Sequence, residues 1–129
     1  MQLSNGTNDA PQTSDIVSAY DYFANPDEID ISLIIGGDCN ATVADAILQM
    51  AYNRKDAVAF ISPLRADAVE NIDSDAIIAY RNSLSPSTSY SVIDSGWKYQ
   101  FDKYNNKYRY VPLNADIAGL CARTDNIRD

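Results

Sequence analysis

Asp38 and Asp94 are the residues whose type and spacing come nearest to a chemical site. Each follows an apolar run and a short break: Leu33-Ile34-Ile35-Gly36-Gly37 precedes Asp38, and Ser89–Ile93 precedes Asp94. If those runs are neighbouring parallel strands, both carboxylates lie at strand carboxyl ends, where open α/β sheets hold ligands. Gly37, Ser62 and Ser95 would gather at the same end. Two aspartates with hydroxyl help can hold Mg²⁺, so one reading is a small Mg-dependent hydrolase or phosphate-binding domain using Asp38 and Asp94. The plainer role for both is capping, because Asp routinely closes turns and helix N-termini. No third carboxylate and no lysine falls at a strand end to complete a catalytic set.

Other chemistries fare worse. The chain contains no histidine, so Ser-His-Asp and Cys-His catalysis have no imidazole within it. Its two cysteines, Cys39 and Cys121, cannot complete a tetrahedral zinc site and are too few for a disulfide framework. They are expected to be reduced, buried thiols of an intracellular protein. Neither GxxxxGK[ST] nor GxGxxG occurs, and Gly36-Gly37 between a strand and a helix is a weak phosphate signal. No cofactor or metal is therefore expected. Asn5-Gly6-Thr7 and Asn40-Ala41-Thr42 match the glycosylation pattern, but no basic-then-apolar leader accompanies them. No run of 18 apolar residues occurs, so no membrane span is expected.

The elements that position these residues centre on Trp97–Arg123. Trp97, Tyr99 and Phe101 alternate with Lys98, Gln100 and Asp102, the period of a half-buried strand. Asn105-Asn106 tolerates the positive φ of a tight turn. A two-residue loop there would set Tyr104 against Lys107, Asp102 against Arg109 and Phe101 against Tyr110. Trp97, Tyr99, Phe101, Tyr108 and Tyr110 would then share one face. Three roles are open to those rings: packing on the last helix, a subunit interface, or stacking on single-stranded nucleic acid. The last is disfavoured, because Lys98, Lys107 and Arg109, though not Lys103, fall on the face opposite the rings, and the rest of the chain is acidic.

Charge is unevenly placed. Residues 1–96 carry 14 acids and 4 bases, a net of −10. Residues 97–111 carry Lys98, Lys103, Lys107 and Arg109 against Asp102, a net of +3, and the remainder contributes −1. An acidic body with one basic, aromatic edge suits head-to-tail association of identical copies, while an acidic surface also serves plain solubility. Lys98, Lys103, Lys107 and Arg109 are the subunit-interface candidates.

The remaining chain reads as alternating helix and strand. Residues 1–13 have no periodicity and are expected to be a flexible leading segment; residues 14–129 are expected to form one α/β domain. Ser14 is the expected cap of a helix carrying Ile16, Tyr20 and Phe23, ended by Asn25-Pro26. Ile29–Ile35 reads as a strand, and Thr42 with Asp45 as a capping box for a helix burying Val43, Ile47, Met50 and Ala51. Asn53-Arg54-Lys55 places positive charge at that helix's end, where the dipole favours it. Ala57–Ile61 is an apolar strand and Leu64–Asn71 a loop. Asp73 or Ser74 caps a helix burying Ile77, Tyr80 and Leu84, which Pro86 stops. Ser89–Ile93 is a third strand. After the hairpin, Pro112 and Asn114 open a last helix with Ile117, Leu120 and Cys121 inward. Gly119 inside it costs about 1 kcal/mol against Ala unless a close backbone contact needs it. Strands separated by helices of this length make right-handed βαβ units. The expected fold is a three-layer α/β domain, mainly parallel, with an antiparallel hairpin at one edge.

Four stretches, DAVAFISP (Asp56–Pro63), AYRN (Ala79–Asn82), SYSVIDSGWKYQ (Ser89–Gln100) and Trp97–Arg123, carry a family resemblance. In order from about Ser14 to Asp129, the chain resembles the tail sheath proteins of contractile-tailed bacteriophages, the large myoviruses above all. The resemblance implies a structural virion protein without catalysis and a subtilisin-like fold for this region. It implies subunits that stack in hexameric rings around a tail tube, assemble in the host cytoplasm, and contract to drive the tube through the host envelope. Known sheath subunits are several times longer and continue into a portion that exchanges strands with neighbours and touches the tube. The chain is accordingly expected to be a piece of such a subunit and monomeric alone, with tube and baseplate contacts made by the whole subunit.

Overall fold

A computed structural model describes residues 10–71, 74–85 and 87–128. Asp73 and Pro86, the expected alternative cap and stop of the third helix, lie outside the described residues, as do Asn5-Gly6-Thr7 and most of the leading segment. The element order is α1 (Thr13–Asp21), β1 (Leu33–Ile35), α2 (Ala41–Arg54), β2 (Val58–Ile61), α3 (Arg65–Ala68), α4 (Asp75–Ser83), β3 (Ser91–Ile93), β4 (Trp97–Asp102), β5 (Lys107–Pro112) and α5 (Asn114–Arg128). The short α3 occupies part of what reads as a loop in the sequence.

β1, β2 and β3 form one parallel sheet in that order, with Ile34 beside Ala59 and Ile61 beside Ile93. Right-handed crossovers taken in sequential order place both connecting helices on one face. Ile34, Ala59 and Ile61 meet Val43, Ile47, Tyr80 and Leu84 there in a single core, with Ile93 and α1's Ile16, Val17 and Tyr20 packed against it. β2 is central, and Phe60 and Ile61 are both fully buried, which is why its sequence is apolar without alternation. β1 is an edge strand shorter than the apolar run suggests, and Ile35 at its end is exposed.

α5 covers the opposite face against β1 and β2, completing three layers. Its inward residues differ from expectation. Asn114 and Ala118 are buried and Ile117 and Cys121 half-buried, whereas Leu120 is 60% exposed. The helix is turned so that small side chains face the sheet, which permits close approach. Gly119 is exposed, with nothing within 4 Å of the position a Cβ would take; no contact explains it.

The caps also differ. α1 starts after Gln12, leaving Ser14 inside the helix, and Phe23 lies past its end. α2 is capped by Asn40, whose side chain accepts the Val43 N–H (3.0 Å) and donates to Thr13 Oγ1 (3.0 Å), tying α2 to α1. Asp45, freed from the expected box, accepts the Ser85 N–H (2.6 Å). Ser74 precedes α4 without a side-chain capping bond. Arg54 turns inward instead of facing solvent. Its guanidinium forks onto Asp56 (2.9 and 2.8 Å) and donates to the carbonyls of Phe23 and Ile29.

β4 and β5 make a separate two-stranded antiparallel sheet, not an added edge of the parallel one. Its register is shifted by two from expectation: Asp102 pairs with Lys107, Phe101 with Tyr108 and Tyr99 with Tyr110. The loop is therefore four residues, 103–106. Asp102 explains the longer loop, because its carboxylate accepts the N–H groups of Tyr104 (3.1 Å) and Asn105 (3.2 Å) and the Asn105 side chain (2.7 Å). Asn106 alone takes positive φ, at 49°. A shift of two leaves every side chain on its expected face.

Candidate functional site

Of the residues anticipated at the strand carboxyl ends, Gly37, Ser62 and Asp94 are brought together there, in a hydrogen-bonded knot. Ser62 Oγ donates to Asp94 Oδ2 (2.8 Å) and accepts the Asn114 N–H (3.1 Å), while Asn114 Nδ2 donates to the Gly37 carbonyl (2.7 Å). The other Asp94 oxygen accepts the Gly96 N–H (3.0 Å), closing a turn. Asp94 is thus a capping residue with both oxygens engaged. Among the described residues, no group of three or more His, Cys, Asp or Glu side chains is placed to hold a metal ion. Asn114, expected only to open the last helix, is the member of this knot not anticipated at the strand ends. Its position, directly after Pro112-Leu113 and opening a helix at the strand ends, was the available signal.

The thiols are free, and they differ. Cys39 is buried and Cys121 half-buried rather than buried. Burial pushes the Cys39 thiol up to about 11, outweighing its contact with Tyr80. Thiolate is the reactive form, so iodoacetamide near pH 8 is expected to label Cys121 well before Cys39, read by peptide mass spectrometry. Equal labelling would contradict the packing around Cys39.

The hairpin is the exposed feature. Its base is fixed to the body by the Trp97 indole N–H, which donates to the Pro63 carbonyl (2.8 Å), and is closed on itself by the Leu113 N–H donating to the Gly96 carbonyl (3.3 Å). A Cβ on Gly96 would collide with Leu113 Cδ1. Beyond the base, Tyr99, Phe101, Tyr108 and Tyr110 are 61, 45, 58 and 40% exposed. They pack on one another, with ring centroids 4.8–5.1 Å apart, and the Arg65 guanidinium of α3 lies 5.3 Å from the Tyr110 centroid. The core role for these rings is overturned, apart from half-buried Trp97. The opposite face carries the charges.

The four basic candidates separate into two kinds. Lys98 Nζ pairs with Asp116 of α5 (2.6 Å), and Arg109 Nε with Asp102 (2.9 Å), now diagonal to it in the register. Lys103 and Lys107 are exposed at the tip, with Lys103 Nζ 5.1 Å from the centroid of Tyr104. Tyr104 itself is 87% exposed.

Hydrogen bonding from the Asn105 side chain, with the two turn N–H groups and nearby Arg109, holds Asp102 below its ordinary value of 3.8. A carboxyl lowered in the folded state stabilises the turn above the unfolded value and loses that effect as pH falls through the folded one. The Tyr104 and Asn105 amide resonances are therefore expected to titrate together with a midpoint below 3.8. A midpoint at or above it would contradict the turn.

Three curated proteins match this chain. A tail sheath protein of Enterobacteria phage T4 is 37% identical over 147 aligned positions, covering 98% of the chain. The chain belongs to the tail sheath proteins. A tail sheath protein of Vibrio phage KVP40 is 36% identical over 83% of the chain, and one of Salmonella phage ViI 39% identical over 64%. The chain spans only 22, 19 and 13% of those sheath proteins' lengths. No protein-family model matches it.

Proposed function

We propose that this chain is a domain of a structural tail sheath subunit, acting through contacts with copies of itself and without catalysis. The observation that carries the reading is sequence identity to sheath proteins across nearly the whole chain. A projecting hairpin with solvent-facing rings and bases agrees with it, because Tyr, Trp and Arg dominate subunit contacts. In this reading residues 14–129 are one α/β domain, the subtilisin-like region of a longer subunit, with residues 1–13 leading into it. The whole subunit polymerises around the tail tube, meets tube and baseplate through its other parts, and resides in the virion tail after assembly in the host cytoplasm. Contraction needs no cofactor. A metastable lattice holds free energy in its interfaces, and many subunits falling to a deeper packing release it together.

Lys98, Lys103, Lys107 and Arg109 are the proposed interface residues. The test is negative-stain electron microscopy of the full-length subunit expressed with its tube and baseplate proteins. Regular tubes are expected from the parent, and blocked or altered tubes when all four residues are changed to Glu. Dispersed particles from the parent would overturn the sheath reading. Normal tubes from the quadruple variant would overturn the interface assignment.

A further inference from the structure

A surface away from the hairpin residues complements the hairpin tip in shape and charge. An apolar groove of ≈160 Å³ opens beside β1, lined by Tyr20, Phe23, Ile31, Leu33 and Ile35 among others. The Tyr20 hydroxyl donates to the Ile35 carbonyl (2.8 Å), and Arg54 holds the carbonyls of Phe23 and Ile29. The walls are therefore fixed by hydrogen bonds between α1, β1, the end of α2 and the connecting segment. An apolar cavity of about 150 Å³ accepts a benzene ring, so this groove is the size of one aromatic side chain.

Charge identifies which ring. The chain has no lysine or arginine before Arg54, and Arg54 is itself buried against Asp56. Asp21, Asp27, Glu28 and Asp30, in the segment leading to the groove, are all exposed. The hairpin tip presents the converse: one ring, Tyr104, between Lys103 and Lys107, with both lysines exposed. An aromatic anchor in an apolar pocket, ringed by paired charges, is the usual anatomy of an interface hot spot.

We infer that Tyr104 of one copy seats in the groove beside β1 of a second copy, with Lys103 and Lys107 against the acids at its rim. Tip and groove are unlike patches, and in the sheath reading they meet head to tail, so that the contact repeats from copy to copy. The inference rests on the sheath reading and supplies the acidic partner for its basic edge. One ring and two charges make a small contact, suited to a lattice in which many weak joints act together.

The experiment uses full-length subunit under conditions where the parent forms tubes. Tyr104→Ala is expected to raise the concentration needed for assembly about tenfold or more, with unchanged circular dichroism. Lys103→Glu with Lys107→Glu, and separately Asp27→Lys with Glu28→Lys, should each block assembly, while mixing the two double variants restores mixed tubes. In a background stripped of other accessible cysteines, differently tagged Tyr104→Cys and Asp27→Cys subunits should cross-link between chains on oxidation. Tubes unaffected by all three sets, or a cross-link confined to one chain carrying both cysteines, would overturn the inference and leave the sheath reading standing. Failure of the parent to assemble would instead count against that reading.

Discussion

Arg54→Met is expected to lower the stability of the 129-residue chain by about 3 kcal/mol, or roughly 10 °C in melting temperature. The Arg54 side chain is fully buried, and its fork joins Asp56 while its remaining donors satisfy the Phe23 and Ile29 carbonyls. Those carbonyls belong to the segment joining α1 to β1, so one side chain holds a long connection onto the end of α2. Breaking a buried pair by removing one partner typically costs about 3–5 kcal/mol. The lower end applies because the Asp56 side chain is 38% exposed and can rehydrate. Arg54→Lys keeps the charge but loses the fork, and is expected to recover less than half of the loss. A melting shift under about 3 °C for Arg54→Met would show that the segment is held by something else.

Two phenylalanines give the second large contrast. Phe60→Ala is expected to cost about 3–5 kcal/mol, and Phe101→Ala no more than about 1 kcal/mol. Phe60 sits on the central strand at 1% exposure, between the sheet and α5. Removing its ring leaves a cavity that neighbouring strands cannot close. Phe101 contacts Tyr108 with centroids 5.1 Å apart, but water already reaches it. Urea unfolding of both variants tests the pair. Comparable losses would mean that the hairpin rings are part of the core.

Most of this architecture was legible because it rests on periodicity. The apolar runs at Leu33–Ile35 and Val58–Ile61 and the Val43-Ile47-Met50-Ala51 stripe leave little choice of element or face, and βαβ handedness then arranges them. What escaped depends on single polar side chains choosing among close alternatives. Asn40 and Thr42 are both good caps, and the bond to Thr13 across 27 residues favours Asn40. Asn105-Asn106 resembles a two-residue turn, yet Asp102 offers three hydrogen bonds to a four-residue loop. Arg54 satisfies the dipole rule in either orientation, and the unpaired carbonyls far away in sequence draw it inward. For the candidate site, the basic residues were readable from charge. Their division was not, because Asp116 lies in another element and takes Lys98 out of the exposed set.

Asn114 bears on the order in which the chain folds. Its bonds to Ser62 and Gly37 span 52 and 77 residues, while the core on the other face is completed by local βαβ units ending at Ile93. Contacts between distant residues repay the entropy of loop closure only once the intervening chain is already compact. α5 should therefore dock after the folding barrier. Asn114→Ala is expected to speed unfolding and leave the refolding rate nearly unchanged in stopped-flow measurements. A slowed refolding limb would place this knot in the nucleus instead. If α5 closes last, the strand ends and the hairpin that leads into α5 take their final positions together, as the closing act of the domain.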